Sequence, residues 1–242
     1  MRLDKLISNC GFGSRKEVKE FLKKGLVTVD DVVCKRPETQ VDPTCQRICV
    51  GEILIEYEKY SYLMMNKPSG VISATFDEEH TTVVDLVEER YQYAQVFPVG
   101  RLDKDTTGLM ILSNDGGFAH RALSPKKHVE KVYEAKLLTP IDENVIKAFE
   151  AGIKLEGDKG EFTTMPAGLL ALDDEGLVAQ VVIREGKFHQ VKRMFEAVGI
   201  KVVALKRTHF AGIALDESLA EGEYRRMTEG ELKIVANLLS KE

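Results

Sequence analysis

The stretch Gly100-Arg101-Leu102-Asp103-Lys104-Asp105-Thr106-Thr107-Gly108-Leu109 sets two carboxylates among cations, hydroxyls and glycines, just ahead of an apolar run at Leu109–Leu112. Glycine-framed loops at strand ends are where reactive groups are commonly held. Asp103, between Arg101 and Lys104, is a candidate nucleophile or base. Asp103 and Asp105 also have the spacing of a divalent-metal pair, and the same residues would make an ordinary polar turn. Residue types alone leave the three readings open, the plain turn being the commonest.

A second stretch runs from Arg184 to Phe195. Phe188, Val191, Phe195 and Val198 recur at helical spacing and are expected to form a core face, which makes Phe188 a packing residue and no base-stacking platform. Gln190, Lys192 and Arg193 project elsewhere and are available to a phosphate or to the carboxylate of Asp103. His189 by itself reads as a hydrogen-bonded structural residue. In His128–Glu134, Lys131 and Tyr133 are two apart and share a strand face; Tyr133 alone is equally a core tyrosine. There is no G-x-x-x-x-G-K-[ST] phosphate loop, no H-E-x-x-H and no G-x-S-x-G elbow. The cysteines at 10, 34, 45 and 49 form no C-x-x-C pair and read as buried free thiols, not as a zinc site. Nothing calls for a cofactor.

These groups need a folded chain to hold them. At 242 residues, 43% hydrophobic and 30% charged, the sequence has the composition of one or two soluble domains. Its longest apolar run, Ala167–Leu172, falls far short of the ~20 residues of a membrane span. No signal peptide is readable at the N-terminus, and four cysteines suit a reducing cytoplasm. The net charge of −5 hides a segregation: residues 1–25 carry +4, residues 184–209 carry +5 and the remainder −14. Basic patches on an acidic chain suit a polyanionic partner, and two solvated helix faces would look the same.

The first 25 residues spell two short helices, divided at Gly11-Phe12-Gly13, with a capping box at Ser14 and Glu17 and a stripe of Val18, Phe21 and Leu22. A short hairpin over Val27–Cys34 follows, turning at Asp30-Asp31. A unit boundary is expected within Cys49–Lys59. Beyond it, strands are predicted at Tyr60–Met65, Leu109–Leu112, Lys131–Leu138 and Leu177–Arg184. Helices are predicted at Thr82–Arg90, Glu143–Ala151, Phe188–Val198 and Thr228–Leu239. The irregular order favours an α+β fold over a doubly wound parallel sheet.

Taken in order, Asn66-Lys67-Pro68-Ser69-Gly70, Gly100–Leu109, Lys131-Val132-Tyr133 and His189–Met194 resemble the motifs of RNA pseudouridine synthases. Arg2–Lys5, Gly11–Ser14 and the basic Arg15–Lys24 resemble an S4-type RNA-binding domain. The likeness covers essentially the whole chain. Lys104–Thr107, His128–Tyr133 and His189–Phe195 are most similar to the branch that modifies small-subunit (16S) ribosomal RNA, the RsuA family.

The resemblance implies an S4-like α/β domain over 1–58. A catalytic domain over 59–242 follows, with a mixed, mostly antiparallel sheet and flanking helices. It implies isomerisation of uridine to pseudouridine in 16S ribosomal RNA, at the uridine 516 site. Asp103 would act on the flipped nucleotide, Arg101 would occupy the vacated space, Tyr133 would stack on the base and Lys192 would pair with the carboxylate. Arg2, Lys5, Arg15, Lys16, Lys19, Lys67 and Arg193 would contact RNA. No metal or cofactor is implied. The partner is 16S ribosomal RNA, free or in an assembling subunit, met by a cytoplasmic monomer with no membrane involved. Competing readings are a 23S-directed synthase, a non-catalytic ribosome-assembly protein and a metal-dependent glycosyltransferase built on Asp103 and Asp105.

Overall fold

Local signals shape the N-terminal unit of the computed structural model, which describes residues 1–157 and 160–240. Helix α1 (Leu3–Asn9) stops ahead of Gly11, whose φ of +88° suits glycine. Ser14 then opens α2 (Arg15–Lys23) with a complete capping box: its N–H donates to Glu17 Oε2 at 2.7 Å, and its Oγ accepts from the Glu17 N–H at 3.3 Å. Strands β1 (Val27–Val29) and β2 (Val32–Val33) meet through Asp30 and Asp31, both left-handed, the backbone a two-residue hairpin requires. With β3 (Ile48–Val50) and β4 (Ile53–Leu54) they form a four-stranded sheet ordered β2-β1-β3-β4. Leu3, Leu6, Ile7, Val18 and Leu22 are buried against Val27, Val41, Ile48 and Ile55 in one small core. The stretch expected to hold the boundary thus begins inside this sheet.

The larger unit is a nine-stranded sheet. In chain order come β5 (Tyr62–Lys67), α3 (Glu89–Tyr93), β6 (Phe97–Pro98), β7 (Thr107–Ser113), α4 (Gly116–Leu123), β8 (Lys131–Leu137) and α5 (Glu143–Ala151). A separate hairpin of β9 (Lys154–Gly157) and β10 (Gly160–Thr163) follows. The main sheet resumes with β11 (Gly168–Ala171) and β12 (Val178–Ile183). After them come α6 (Gln190–Ala197), β13 (Val202–Phe210), β14 (Ile213–Ala214), β15 (Tyr224–Arg226) and α7 (Glu229–Ser240).

The sheet runs β11-β12-β8-β13-β7-β5-β15, with β14 on β13 and β6 on β7. Its pairings are antiparallel except β13 with β7, where Lys206 meets Thr107 and Arg207 meets Gly108. The fold is therefore α+β with a mixed, mostly antiparallel sheet, as expected. Strands β5 and β7 are buried on both faces, which is why their centres, Leu63–Met65 and Leu109–Leu112, read as unbroken apolar runs. Leu63, Met65, Met110 and Leu112 join the core under α5 and α6, while Met64, Leu109 and Ile111 join the one under α4 and α7. The parallel joint is tight: a Cβ on Gly108, φ +97°, would lie 2.3 Å from the Arg207 carbonyl oxygen.

Three expectations are corrected. No helix spans Thr82–Arg90: Thr82 pairs with Ile72 as an isolated bridge, and its N–H and hydroxyl donate to Asp85 Oδ2 at 2.8 and 2.9 Å, closing a turn. Only Glu89–Tyr93 is helical there, and Val83 and Val84 serve the core. The helix expected from Phe188 begins at Gln190, because His189 adopts a left-handed backbone (φ 48°, ψ 32°), and Phe188 is 70% exposed. Of the four cysteines only Cys49 is buried, and Cys45 is exposed. Among the described residues, no helix is long and apolar enough to cross a membrane.

Candidate active site

The loop carrying Asp103 is held from beneath. Lys67, fully buried at the end of β5, donates from Nζ to the carbonyls of Pro68 (2.9 Å), Thr106 (2.9 Å) and Lys104 (3.3 Å). Gly70 N donates to the same Lys104 carbonyl at 2.8 Å. Ser73 Oγ and the backbone of Leu102 exchange two hydrogen bonds of 2.9 Å. Leu102 is buried, and Thr106 N donates to Asp103 O at 3.1 Å to close the turn. The motif segment Asn66–Gly70 thus acts as a clamp on the Asp103 loop. Lys67 was expected as a structural or phosphate contact; here its ammonium is enclosed by protein carbonyls, the structural role. Burial pushes the Lys67 ammonium down to about 8, against the pull of Asp105 and Asp103.

Asp103 itself is about one-quarter exposed at a cavity of about 570 Å³, a volume in the range of small-molecule sites. Lys192 Nζ on α6 stands 3.4 Å from Asp103 Oδ2 and 2.6 Å from Asp105 Oδ1. Its hydrogen bond holds the Asp105 carboxyl below the usual carboxylate range. A lysine ammonium therefore sits between the two carboxylates, where the metal-pair reading would put a cation. Among the described residues, no group of three or more His, Cys, Asp or Glu side chains could hold a metal ion. His189 Nε2 lies 3.5 Å from Asp103 Oδ1, a contact that sequence alone did not single out.

The floor and wall of the cavity come from β8 and β13. Lys131 and Tyr133 both line it, as their spacing on one strand requires. Burial, and Arg207 close by, push Lys131 down to about 8. Arg207 is the largest fully buried side chain and also lines the cavity; nothing in the sequence reading marked it. Its Nε donates to Leu109 O at 2.9 Å, its guanidinium lies 4.7 Å over the Phe210 ring, and its Nη2 has no hydrogen-bond partner. The only available signal was its two-residue spacing from buried Leu205 on a strand, which turns it inward. Arg101 is exposed at the cavity edge.

The other residues expected at RNA divide. Lys5, Lys16 and Lys19 are exposed on α1 and α2. Arg2 and Arg15 instead grip Asp4, each at 3.0 Å, leaving their outer parts exposed. Burial would raise the Asp4 carboxyl, but those two hydrogen bonds outweigh it and hold the group low. Arg193 donates to the carbonyls of Glu156 and Phe188, so two of its donors pin protein backbone.

This pairing of a basic N-terminal helical unit with an aspartate cavity on a mixed sheet matches known families. The RNA pseudouridylate synthase model matches residues 61–197 and the S4 domain model residues 1–45, and the chain belongs to the RNA pseudouridylate synthases. Within that class it is 48% identical over 237 residues to "Uncharacterized RNA pseudouridine synthase YtzG" of Bacillus subtilis, covering 97% of this chain and 98% of that one. It is 39% identical to "Ribosomal small subunit pseudouridine synthase A" of Haemophilus influenzae, covering 96% and 98%, and 37% identical to the protein of that name in Escherichia coli, covering 97% and 100%. A crystal structure of a pseudouridylate synthase superposes with a TM-score of 0.68 at 36% identity, over 97% of this chain and 99% of that one.

Proposed function

We propose that the chain isomerises uridine to pseudouridine in small-subunit (16S) ribosomal RNA, at the uridine 516 site, with Asp103 as the reacting group. The observation that carries this reading is the Asp103 carboxylate, set between Lys192 and His189 at the mouth of a cavity that also holds Tyr133. The relatives named for the small subunit, similar along nearly their whole length, support the choice of RNA.

The target uridine leaves its stack and enters the cavity. Arg101, exposed at the edge, takes the vacated space, and Tyr133 offers its ring to the base. Asp103 acts at C1′, at C6 or on a sugar proton. By each route the C1′–N1 bond breaks, the uracil turns, C5 bonds to C1′, the C5 proton departs and N1 regains one. The reaction is an isomerisation, so its balance calls for no metal, cofactor or energy source. Lys192 neutralises the carboxylates as a point charge, without the two-pronged geometry an arginine has. Residues 1–58 serve as the RNA-binding domain and residues 59–242 as the catalytic domain. The protein works in the cytoplasm as a monomer, on 16S RNA that is free or within an assembling subunit.

Carbodiimide mapping of pseudouridine on unmodified small-subunit RNA, free and in partly assembled particles, tests the reading. Wild type should create one new stop that Asp103→Asn does not. A stop only on large-subunit RNA would overturn the choice of substrate, and silence on both RNAs would overturn the catalytic reading.

A further inference from the structure

The loop from Glu185 to His189 holds an aromatic ring outward at the mouth of the cavity. Buried Gln190 ties the loop at its start and middle: its Oε1 accepts from Lys187 N at 2.9 Å and its Nε2 donates to Glu185 Oε1 at 2.7 Å. Arg193 Nη1 adds a bond to the Phe188 carbonyl at 3.4 Å. The Phe188 ring stacks on the His189 imidazole, centroids 3.7 Å apart and planes 20° apart. His189, with Lys192, reaches Asp103. One face of Phe188 is therefore one ring removed from the Asp103 carboxylate, and the residue is 70% exposed. Phenylalanine is among the side chains most often buried. Here the left-handed turn at His189 removes it from the helix face that buries Val191 and Phe195. Tyr133, at 8% exposure, faces the inside of the same cavity. Both rings line the cavity, Tyr133 enclosed within it and Phe188 open to solvent.

We propose that the Phe188–His189 stack is a landing platform for an unpaired nucleobase of the substrate RNA flanking the target uridine. That base extends the stack on the open face of Phe188 while the uridine enters beside Tyr133. The inference rests on the synthase reading above. Every nucleobase has a π-face, so the platform senses that the neighbour is unstacked more than which base it is. It favours targets in loops or opened helices, whose neighbouring bases are free to swing out.

The test uses a 16S fragment around the target, with 2-aminopurine placed at one flanking position at a time. Bound to the Asp103→Asn protein, the probe should be quenched at one flanking position, and the quench should vanish in Asp103→Asn/Phe188→Ala. In turnover, Phe188→Ala should raise KM by roughly 5- to 150-fold, the span of one base–aromatic stack, with the larger share of the loss in KM. Phe188→Trp should restore affinity and Phe188→Leu should not. An unchanged KM in Phe188→Ala, equal rescue by Leu, or no flanking quench overturns the platform. Silence of wild type on the fragment, on whole 16S RNA and on partly assembled particles overturns the substrate reading instead. The quench, which needs binding and no turnover, still decides the platform in that case.

Discussion

Lys67 and Arg207 beneath the cavity, and Lys5, Lys16 and Lys19 on the N-terminal helices, are cations under opposite constraints. The first two are fully buried and donate to backbone carbonyls: Lys67 to three around the Asp103 loop, Arg207 to Leu109. The other three stand in solvent. A buried cation bound to carbonyls fixes backbone, because leaving it or its acceptors unpaired carries the full desolvation penalty. A solvated cation fixes nothing within the protein and attracts phosphate at long range, with an affinity that salt erodes. The difference teaches that positive charge has two separable settings in this chain: paired with carbonyls beneath the pocket, and open to solvent at the N-terminus. Asp4 mixes the two, since it is buried yet gripped by two half-exposed arginines.

Substitutions can break or sharpen that contrast. Asp103→Asn should lower turnover by more than about 10³-fold while RNA affinity holds, measured by single-turnover isomerisation and filter binding. Substantial remaining turnover would move the reacting group elsewhere. Lys67→Met should lower kcat by about 10²-fold, since a displaced loop misplaces the carboxylate, and should leave the salt dependence of RNA binding unchanged. The same variant has a stability signature. Lys67 has its folded value lowered to about 8 from 10.5, so between those pH values the unfolded chain binds more protons. Its contribution to stability therefore rises with pH across that window. Denaturant melts of wild type minus Lys67→Met should show the rise.

The triple change Lys5→Ala, Lys16→Ala and Lys19→Ala should weaken RNA binding about ten-fold and flatten the salt slope by about 2, with saturating turnover kept. An unchanged slope would remove these lysines from the RNA contact. The smallest effect belongs to Asp4. Its folded value is depressed, so its contribution is present above about pH 4 and is lost as pH falls further. Hydrogen exchange at α1 and α2 should report that loss in wild type and a flatter acid profile in Asp4→Asn.

Legibility in the sequence followed the range of the force involved. Ser14 with Glu17, and Asp30 with Asp31, act over two to three residues, and both features stand where they were expected. The apolar runs of β5 and β7 were equally readable, because burial on both faces leaves no polar alternation. Thr82–Arg90 looked helical by pattern, yet the Thr82–Asp85 turn competes locally for the same backbone donor. Phe188 continued the helical period of Val191 and Phe195, and one left-handed residue at His189 broke it. At the site, the loop of Asp103 and its motif neighbours were visible as residue types. The burial of Lys67 and of Arg207 depends on strands distant in sequence, and beyond the strand spacing of Arg207 from Leu205 neither residue type carries a local mark of such a fate.

The parallel joint of β7 and β13 bears on the order in which the protein comes into being. Arg207 reaches Leu109 across 98 residues, and the glycine at 108 admits no side chain between the strands. The N-terminal core, by contrast, is complete once residue 57 has been made. Contacts distant along the chain close late, and N-terminal units fold first during synthesis. A chain still on the ribosome is therefore expected to complete its N-terminal helical unit well before β13 joins β7 under the Asp103 loop.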